Sequence, residues 1–510
     1  MDSPAKEFEL VEASINDLHA AVKTGSVTVT QVVEGYIARA KAFNGVSSML
    51  VTADGASVHA TTGVTRAGQE LTFPTETIPV SDVLPDLNKY NGPALEFGRM
   101  EETASKSGVH QQFGMIAGIP DAGQVNALST INIRGERSVT CWGDYDRHPD
   151  DGPLPAGAPP VCEIFRRQPD ALERARELDA EYGTDPDLET LPMYGVVFSF
   201  KDPFDTRDMR STGGADADYD IDFPARDHIL VDQLRRKGAI IYAKAVNTEY
   251  NGRAGDPGGR HTPDKILPST LGYQRATWGG NPSNPYDTRR AASLGSSSGS
   301  ALSVSTNLVM ASLGEETRAS CRGPSNHNAV SLILPHKSML GFDGGAIGAD
   351  IYCDRSGIHG KTLADCALIL DALKDADAGY YDPRDPYTTV PRSSVLSTPY
   401  SDHICPHGDA GGLDNIRLGV IRESLVYPPG SLTEKPIVDA AITDAALGAY
   451  PVFDPCCARS ATGRGVPPDW RQIGHSELPA RCATTHARQK ACAQSSSTGS
   501  FATSMQIGQL

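Results

Sequence analysis

The chain is short of several things that would have fixed its class at once. No CxxC pair occurs among its ten cysteines, and the only adjacent pair is Cys456-Cys457, so no zinc ribbon or thioredoxin-type motif is present. Ten cysteines in 510 residues also fall far below a disulfide scaffold, and reduced thiols in a cytoplasmic protein are the simplest expectation. No run of 18 apolar residues exists, which excludes a membrane-spanning helix. The opening Met1-Asp-Ser-Pro-Ala-Lys-Glu-Phe-Glu9 lacks the basic and apolar stretches of a secretory signal. Basic charge is scarce: 46 Lys and Arg stand against 63 Asp and Glu, a formal net charge of −17. Without a basic face to neutralise phosphates, nucleic acid is not an expected partner.

What is present is enough apolar residue, 39%, to build a sizeable core, with 21% charged residues to keep it soluble. The first 50 residues read as a helical hairpin that must pack on something larger. Ser14 caps a helix with Ile15, Leu18 and Val22 on one face, and Gly25 ends it. Thr28 and Gln31 form a capping box for a second helix, whose Val29, Val32, Val33, Tyr36, Ile37 and Ala40 recur at helical spacing before Asn44-Gly45. Residues 51–160 are rich in Gly, Pro and Thr without a sustained period and read as an irregular insertion. An amphipathic helix follows from about Pro169 to Tyr182.

From there strands and helices alternate. Val196–Phe200 and Ala239–Lys244 are short apolar strands flanking a helix from His228 to Lys237 with Gly238 at its end. A strand–helix–strand unit of this kind implies parallel pairing with a right-handed crossover. Ala301–Asn307 reads as a helix, Leu308–Leu313 as a strand, Thr362 as the cap of a strong helix and Leu418–Ile421 as a further strand. The alternation over 161–450 points to a mixed α/β sheet covered by helices on both faces. Residues 451–510 carry six Lys or Arg against three Asp or Glu, a formal +3 against −20 elsewhere, and four cysteines without visible period. They read as an atypical, disordered tail.

Three segments carry chemistry. Gly195-Val-Val-Phe-Ser-Phe-Lys-Asp-Pro-Phe-Asp-Thr206 holds Lys201 directly after a strand; Leu294-Gly-Ser-Ser-Ser-Gly-Ser-Ala301 holds Ser296 on a small-residue turn; Gly314-Glu-Glu-Thr-Arg-Ala-Ser-Cys-Arg-Gly-Pro324 holds Ser320. A serine becomes a nucleophile when a neighbouring base removes its proton, and a buried lysine held neutral serves as that base. Taken singly, each segment has an ordinary reading: a flexible Ser/Gly turn, a surface serine, a rim lysine. Together, in this order and with the two serines 24 residues apart, they resemble the amidase signature family of serine hydrolases. Its patterns are G-V-P-x-x-x-K-D-x-x-D, G-G-S-S-G-G-S-A and G-[ST]-[DE]-x-G-G-S-[IVC]-R-x-P.

The resemblance is strong from about 190 to 375, weak over 52–160 and absent after about 470. It implies the amidase signature α/β fold and an amide hydrolase acting on a small-molecule amide. Ser320 would be the nucleophile, Ser296 the bridging serine after a cis peptide bond, and Lys201 the base. The oxyanion hole would be the backbone N–H groups of Thr317, Arg318, Ala319 and Ser320, with Asp202, Glu316 and Arg322 in support. No metal and no organic cofactor are implied. Departures from the patterns fall at Leu294, Ser298 and the Arg318-Ala319 pair, all glycines in the family. A side chain at a left-handed position there would cost about 1 kcal/mol or more. Glu316 and Arg322 are expected to pair, and Ser211-Thr-Gly-Gly214 matches a further family strip. The stretch from Thr248 to Gln274 reads as an insertion bordering the pocket. Cys321 reads as a packing residue, and His327, His336 and His359 as structural. Two other readings remain open: a glutamine amidotransferase A-type subunit, and a catalytically silent scaffold. The substrate and the oligomeric state, a homodimer included, are left open.

Overall fold

The structure, a computed structural model, describes residues 8–44, 48–52, 125–214, 223–251, 282–291, 295–345, 353–374 and 392–404. Shorter described pieces lie at 77–78, 95–96, 109–113, 381, 383, 388, 417–419, 439–440 and 450–453. Most of the stretch from 248 to 274, Leu294, and the tail beyond 453 lie outside the described residues.

The chain divides into two compact units, the second starting at His403. The first is built on a six-stranded mixed sheet. Its strands are β1 (Leu128–Ile131), β2 (Val197–Lys201), β3 (Ile240–Ala245), β4 (Ala311–Glu316), β5 (Ser331–Ile333) and β6 (Arg355–Gly360), in the order β5-β6-β4-β2-β3-β1. The central strands β4, β2 and β3 run parallel, and the outer pairings are antiparallel. β2 and β3 are buried along their whole length, so both faces must be covered, as their unbroken apolar runs require. In the second unit, Arg417–Gly419 pairs in parallel with Tyr450–Phe453, apart from the large sheet.

The helices form where their caps and stripes direct. Ser14 and Thr28 each make a reciprocal capping box at the start of α1 (Ile15–Lys23) and α2 (Val29–Phe43). Asp170 caps α3 (Ala171–Glu181) in the same way. His228 caps α4 (Ile229–Arg236) through its ring nitrogen. Gly238 follows α4 at φ +86°, where an added Cβ would lie 2.9 Å from the Tyr194 Cα. Only glycine fits that turn into β3. The apolar faces of α1, α2, α3 and α4 enter one core with the strands and with α7 (Leu363–Leu373). Asp365 ties the two ends of that core together: its carboxylate accepts from the Ile15 N–H and from its own cap residue Thr362.

Three differences from the sequence reading have physical causes. The helix expected over 301–307 is α5 (Ser298–Ser305), and the strand expected over 308–313 is β4, three residues later. Asn307 takes φ +55° and the Leu308 N–H donates to the Ser303 carbonyl, so a helix-closing turn uses up Leu308, Val309 and Met310 before pairing starts. β1 arises inside the stretch read as irregular. Asn44 replaces a strand neighbour there, both accepting from and donating to the Leu128 backbone. The thiols are not all reduced: Cys141 and Cys162 form a disulfide, with Cα atoms 5.3 Å apart, around a small satellite core with Phe165. Arg137, wholly buried beside it, is held by both carboxylate oxygens of Asp146. Cys321 and Cys366 are buried free thiols. No helix among the described residues is long and apolar enough to cross a membrane.

Candidate active site

β2 and β4 lie side by side, and their carboxyl ends deliver the candidate residues. Lys201 is the last residue of β2 and is wholly buried. Its Nζ donates to Ser296 Oγ at 2.8 Å, so residues 95 positions apart meet as the family resemblance implies. The same Nζ lies 3.3 Å from the Glu315 carbonyl oxygen and 3.4 Å from Glu315 Oε2. Phe198 and Phe200 on the same strand are buried and lie stacked, with ring centroids 6.0 Å apart.

Ser296 sits on the turn that leads into α5, and Ser320 on the turn between β4 and α6 (Arg322–His327). The two turns are locked to each other. The Ser297 N–H donates to the Ser320 carbonyl at 3.0 Å. A Cβ on Gly295 would fall 2.5 Å from Pro324 Cδ and 3.0 Å from the Ala319 carbonyl oxygen, so the turns approach as closely as they do only with glycine there. Ser297 Oγ crosses to the Glu315 carbonyl at 2.9 Å. Ser298, at a family glycine position, donates from its Oγ to the Gly295 carbonyl at 2.6 Å and tightens the turn. The cis bond implied before Ser296 is not found: the described peptide bonds are all trans, the form lower in energy by about 3–4 kcal/mol at a non-proline residue.

Ser320 is partly exposed, and its hydroxyl makes no hydrogen bond among the described residues. Arg318 and Ala319 are exposed, and neither is at positive φ, so their side chains cost no left-handed strain. Arg318 has no ionic partner among the described residues. The N–H groups of Arg318, Ala319 and Ser320 likewise donate to nothing there. The Thr317 hydroxyl bonds to Asp354.

The supporting residues are placed firmly. Glu316, wholly buried, accepts the N–H groups of Cys321 and Arg322 at 3.0 Å each through Oε2, and the Arg322 guanidinium at 2.7 Å through Oε1. It thereby ties down the turn that follows Ser320. Asp202 Oδ2 accepts from Thr212 N, Thr212 Oγ1 and Gly214 N, so the Ser211–Gly214 strip is a loop pinned beside the lysine. Cys321 is buried, and burial first, with the Glu316 charge next, pushes its thiol up to about 12. It stays protonated and is no competing nucleophile. His359 Nδ1 meets Ser325 Oγ at 2.9 Å, and burial holds its imidazole down to about 3, a neutral ring and not a base for Ser320. His327 ends α6, and His336 caps the short turn Lys337–Met339 through its ring nitrogen.

Two residues that the sequence reading passed over stand at the site. Lys244, buried on β3, donates to the Phe204 carbonyl and to Ser211 Oγ at 2.7 Å. A charge inside the apolar run 239–244 was its signal. Glu315 stands against Lys201, at a position the family pattern fills with Ser or Thr. That departure was legible in the third segment. No group of three or more His, Cys, Asp or Glu able to hold a metal occurs among the described residues.

Comparison with known proteins bears on the fold and the family resemblance. Residues 161–402 match the family model described as Amidase. A "Probable amidase" of Arabidopsis thaliana is 29% identical over 263 residues, covering 52% of this chain and 47% of the plant protein. The A-type component of the glutamyl-tRNA(Gln) amidotransferase of Azoarcus sp. (strain BH72) is 29% identical over 287 residues, 55% of this chain and 51% of that one. The native peptide amidase of Stenotrophomonas maltophilia superposes with a TM-score of 0.50 at 20% identity, covering 87% of this chain and 62% of the other, which shows the shared fold. The chain spans about half the length of the curated relatives it matches.

Proposed function

We propose that this chain hydrolyses a carboxamide C–N bond through an acyl-enzyme on Ser320. The observation that carries the reading is the buried Lys201 Nζ at 2.8 Å from Ser296 Oγ, on a turn bonded to the turn of Ser320. Ser320 Oγ attacks the carboxamide carbon and loses its proton to Ser296, which passes its own proton to the neutral form of Lys201. In this reading the N–H groups of Arg318, Ala319 and Ser320, with that of Thr317, receive the developing oxyanion. Donors of this kind contribute about 3–4 kcal/mol each to the transition state. The proton returns through Ser296 to the leaving amine or ammonia, the C–N bond breaks, and water releases the acid from Ser320 by the same relay. The reaction consumes one water and needs no redox partner. Asp202, Glu316 and Arg322 hold the relay in place without touching substrate.

Turnover of a panel of primary and aryl amides by Ser320→Ala tests the assignment. Loss of roughly a thousandfold or more in kcat is expected, and unchanged turnover sinks it. A second reading is favoured by the match to the A-type component of an amidotransferase: the same acyl chemistry would release ammonia from glutamine to a partner protein. Glutaminase activity that rises only with co-purified partners would select it.

A further inference from the structure

The surroundings of Lys201 hold one feature that the relay does not use. Three oxygens lie within hydrogen-bond reach of its Nζ: Ser296 Oγ at 2.8 Å, the Glu315 carbonyl at 3.3 Å and Glu315 Oε2 at 3.4 Å. A lysine ammonium has three N–H donors and no acceptor, whereas the neutral amine has two donors and a lone pair. The Glu315 carbonyl and carboxylate oxygens accept from either form, whereas Ser296 Oγ can accept from the ammonium or donate to the amine's lone pair. One of the three is a carboxylate oxygen, and it is as buried as the lysine. Burial removes the solvent that would screen such a pair. Glu315 is anchored from the far side by Asn251, whose Nδ2 donates to the same Oε2 at 3.0 Å. Its Oε1 has no hydrogen-bond partner among the described residues.

We infer that Glu315 is a positioning residue that holds the proton on Lys201 in the resting enzyme, so that the relay opens only when that proton leaves. The inference rests on the reading of Lys201 as the base for Ser296. A base must present a lone pair before it accepts a proton, and an opposite charge within about 4–6 Å favours the charged form instead. At the Ser or Thr of the family pattern no such charge stands beside the lysine. Glu315 therefore moves the working range of this enzyme to alkaline pH. The balance is simple: Lys201 ammonium gives one proton to solvent, becomes the amine, and then receives the proton that Ser296 hands on.

The other titratable groups around Lys201 do not substitute for Glu315. His359 on β6 is held neutral and the Cys321 thiol protonated. Asp202, next in sequence and also buried, gives Oδ2 to the Thr212–Gly214 loop and makes no hydrogen bond to Lys201 among the described residues. Lys244 on β3 turns to Phe204 and Ser211. Glu316 on β4 faces Arg322 and Arg355. α5 carries no ionisable side chain.

The test is the pH dependence of kcat/KM for amide hydrolysis by wild type, Glu315→Gln and Glu315→Asp. The acid limb is expected to move to lower pH by about one unit or more in the glutamine variant, and to stay near the wild-type position in the aspartate variant. An unmoved limb in Glu315→Gln overturns the inference. If no amide is hydrolysed by the wild type, the functional reading fails but this inference is still read directly. 13Cε NMR titration of lysine-labelled Ser320→Ala protein, with the Lys201 signal assigned by its loss in Lys201→Met, is compared with and without Glu315→Gln. A Lys201 signal that titrates at lower pH in the glutamine background supports the pairing, and coincident titrations contradict it. Glu315→Thr, the residue type of the family pattern, repeats the measurement should the glutamine variant fail to fold.

Discussion

Lys201, Ser296 and Ser320 lie in three separate sequence segments, and each alone has an ordinary structural reading. Their order and spacing made them a set, and the fold supplies the reason: β2 and β4 are adjacent parallel strands whose ends carry the lysine and the nucleophile turn. The site was legible because its residues are tied to motifs. Glu315 was less so, because one acid among the strip's two looks like a tolerated substitution until the strand places it against the lysine. The same scale yields a prediction on stability. Burial, then the charges of Lys244 and Arg226, hold His228 down to about 3, and burial does the same to His359. The unfolded chain protonates these rings near 6.5 and the folded one does not. Stability is therefore full above pH 6.5 and falls as pH drops toward 3, by roughly 1.4 kcal/mol per pH unit for each ring. Asp170 and Asp205 are raised by burial and act in the opposite sense nearer pH 4, so the window to use is pH 7 to 5. The melting temperature should fall across it, and less steeply in His228→Asn, which keeps an acceptor for the Leu230 N–H. A wild-type melting temperature that is flat from pH 7 to 5 contradicts the assignment.

At the scale of elements, capping boxes and apolar stripes made α1, α2 and the helix at Thr362 readable from local chemistry alone. The element boundaries near 308 were not, because an apolar run looks the same in a helix-closing turn and in a strand. β1 escaped notice because its four residues carry no alternation and owe their place to Asn44 and to pairing with β3. Disulfide pairing was beyond reach for a similar reason: spacing does not reveal which cysteines meet. The Cys141–Cys162 bridge spans a sequence separation of 21 and closes a loop that contains Asp146, the partner of Arg137. Loop-closure entropy gives such a bridge about 3 kcal/mol. Replacing both cysteines by serine should lower the unfolding free energy by about that amount in denaturant titration, and dithiothreitol should do the same to the wild type but not to the variant. A wild type indifferent to reductant contradicts the bridge.

For the molecule as a whole, the matched segment 161–402 does not close its own core. Ile15, Leu18, Val22, Val32, Val33 and Tyr36, from helices outside it, pack into the same cluster as the strands that present Lys201 and Ser320. The architecture was foreseeable from alternating strands and helices, whereas what lies after His403 gave the sequence reading little, since one short strand pair is described there. Ser320 is partly exposed, its hydroxyl makes no hydrogen bond among the described residues, and its turn is bonded to the turn of the buried lysine–serine contact. The most direct measurement is mass spectrometry of the intact protein and its Ser320 peptide after exposure to a fluorophosphonate probe. The account predicts a single adduct on Ser320, lost in Ser320→Ala and slowed strongly in Lys201→Met. No adduct, or one on another serine, would contradict it.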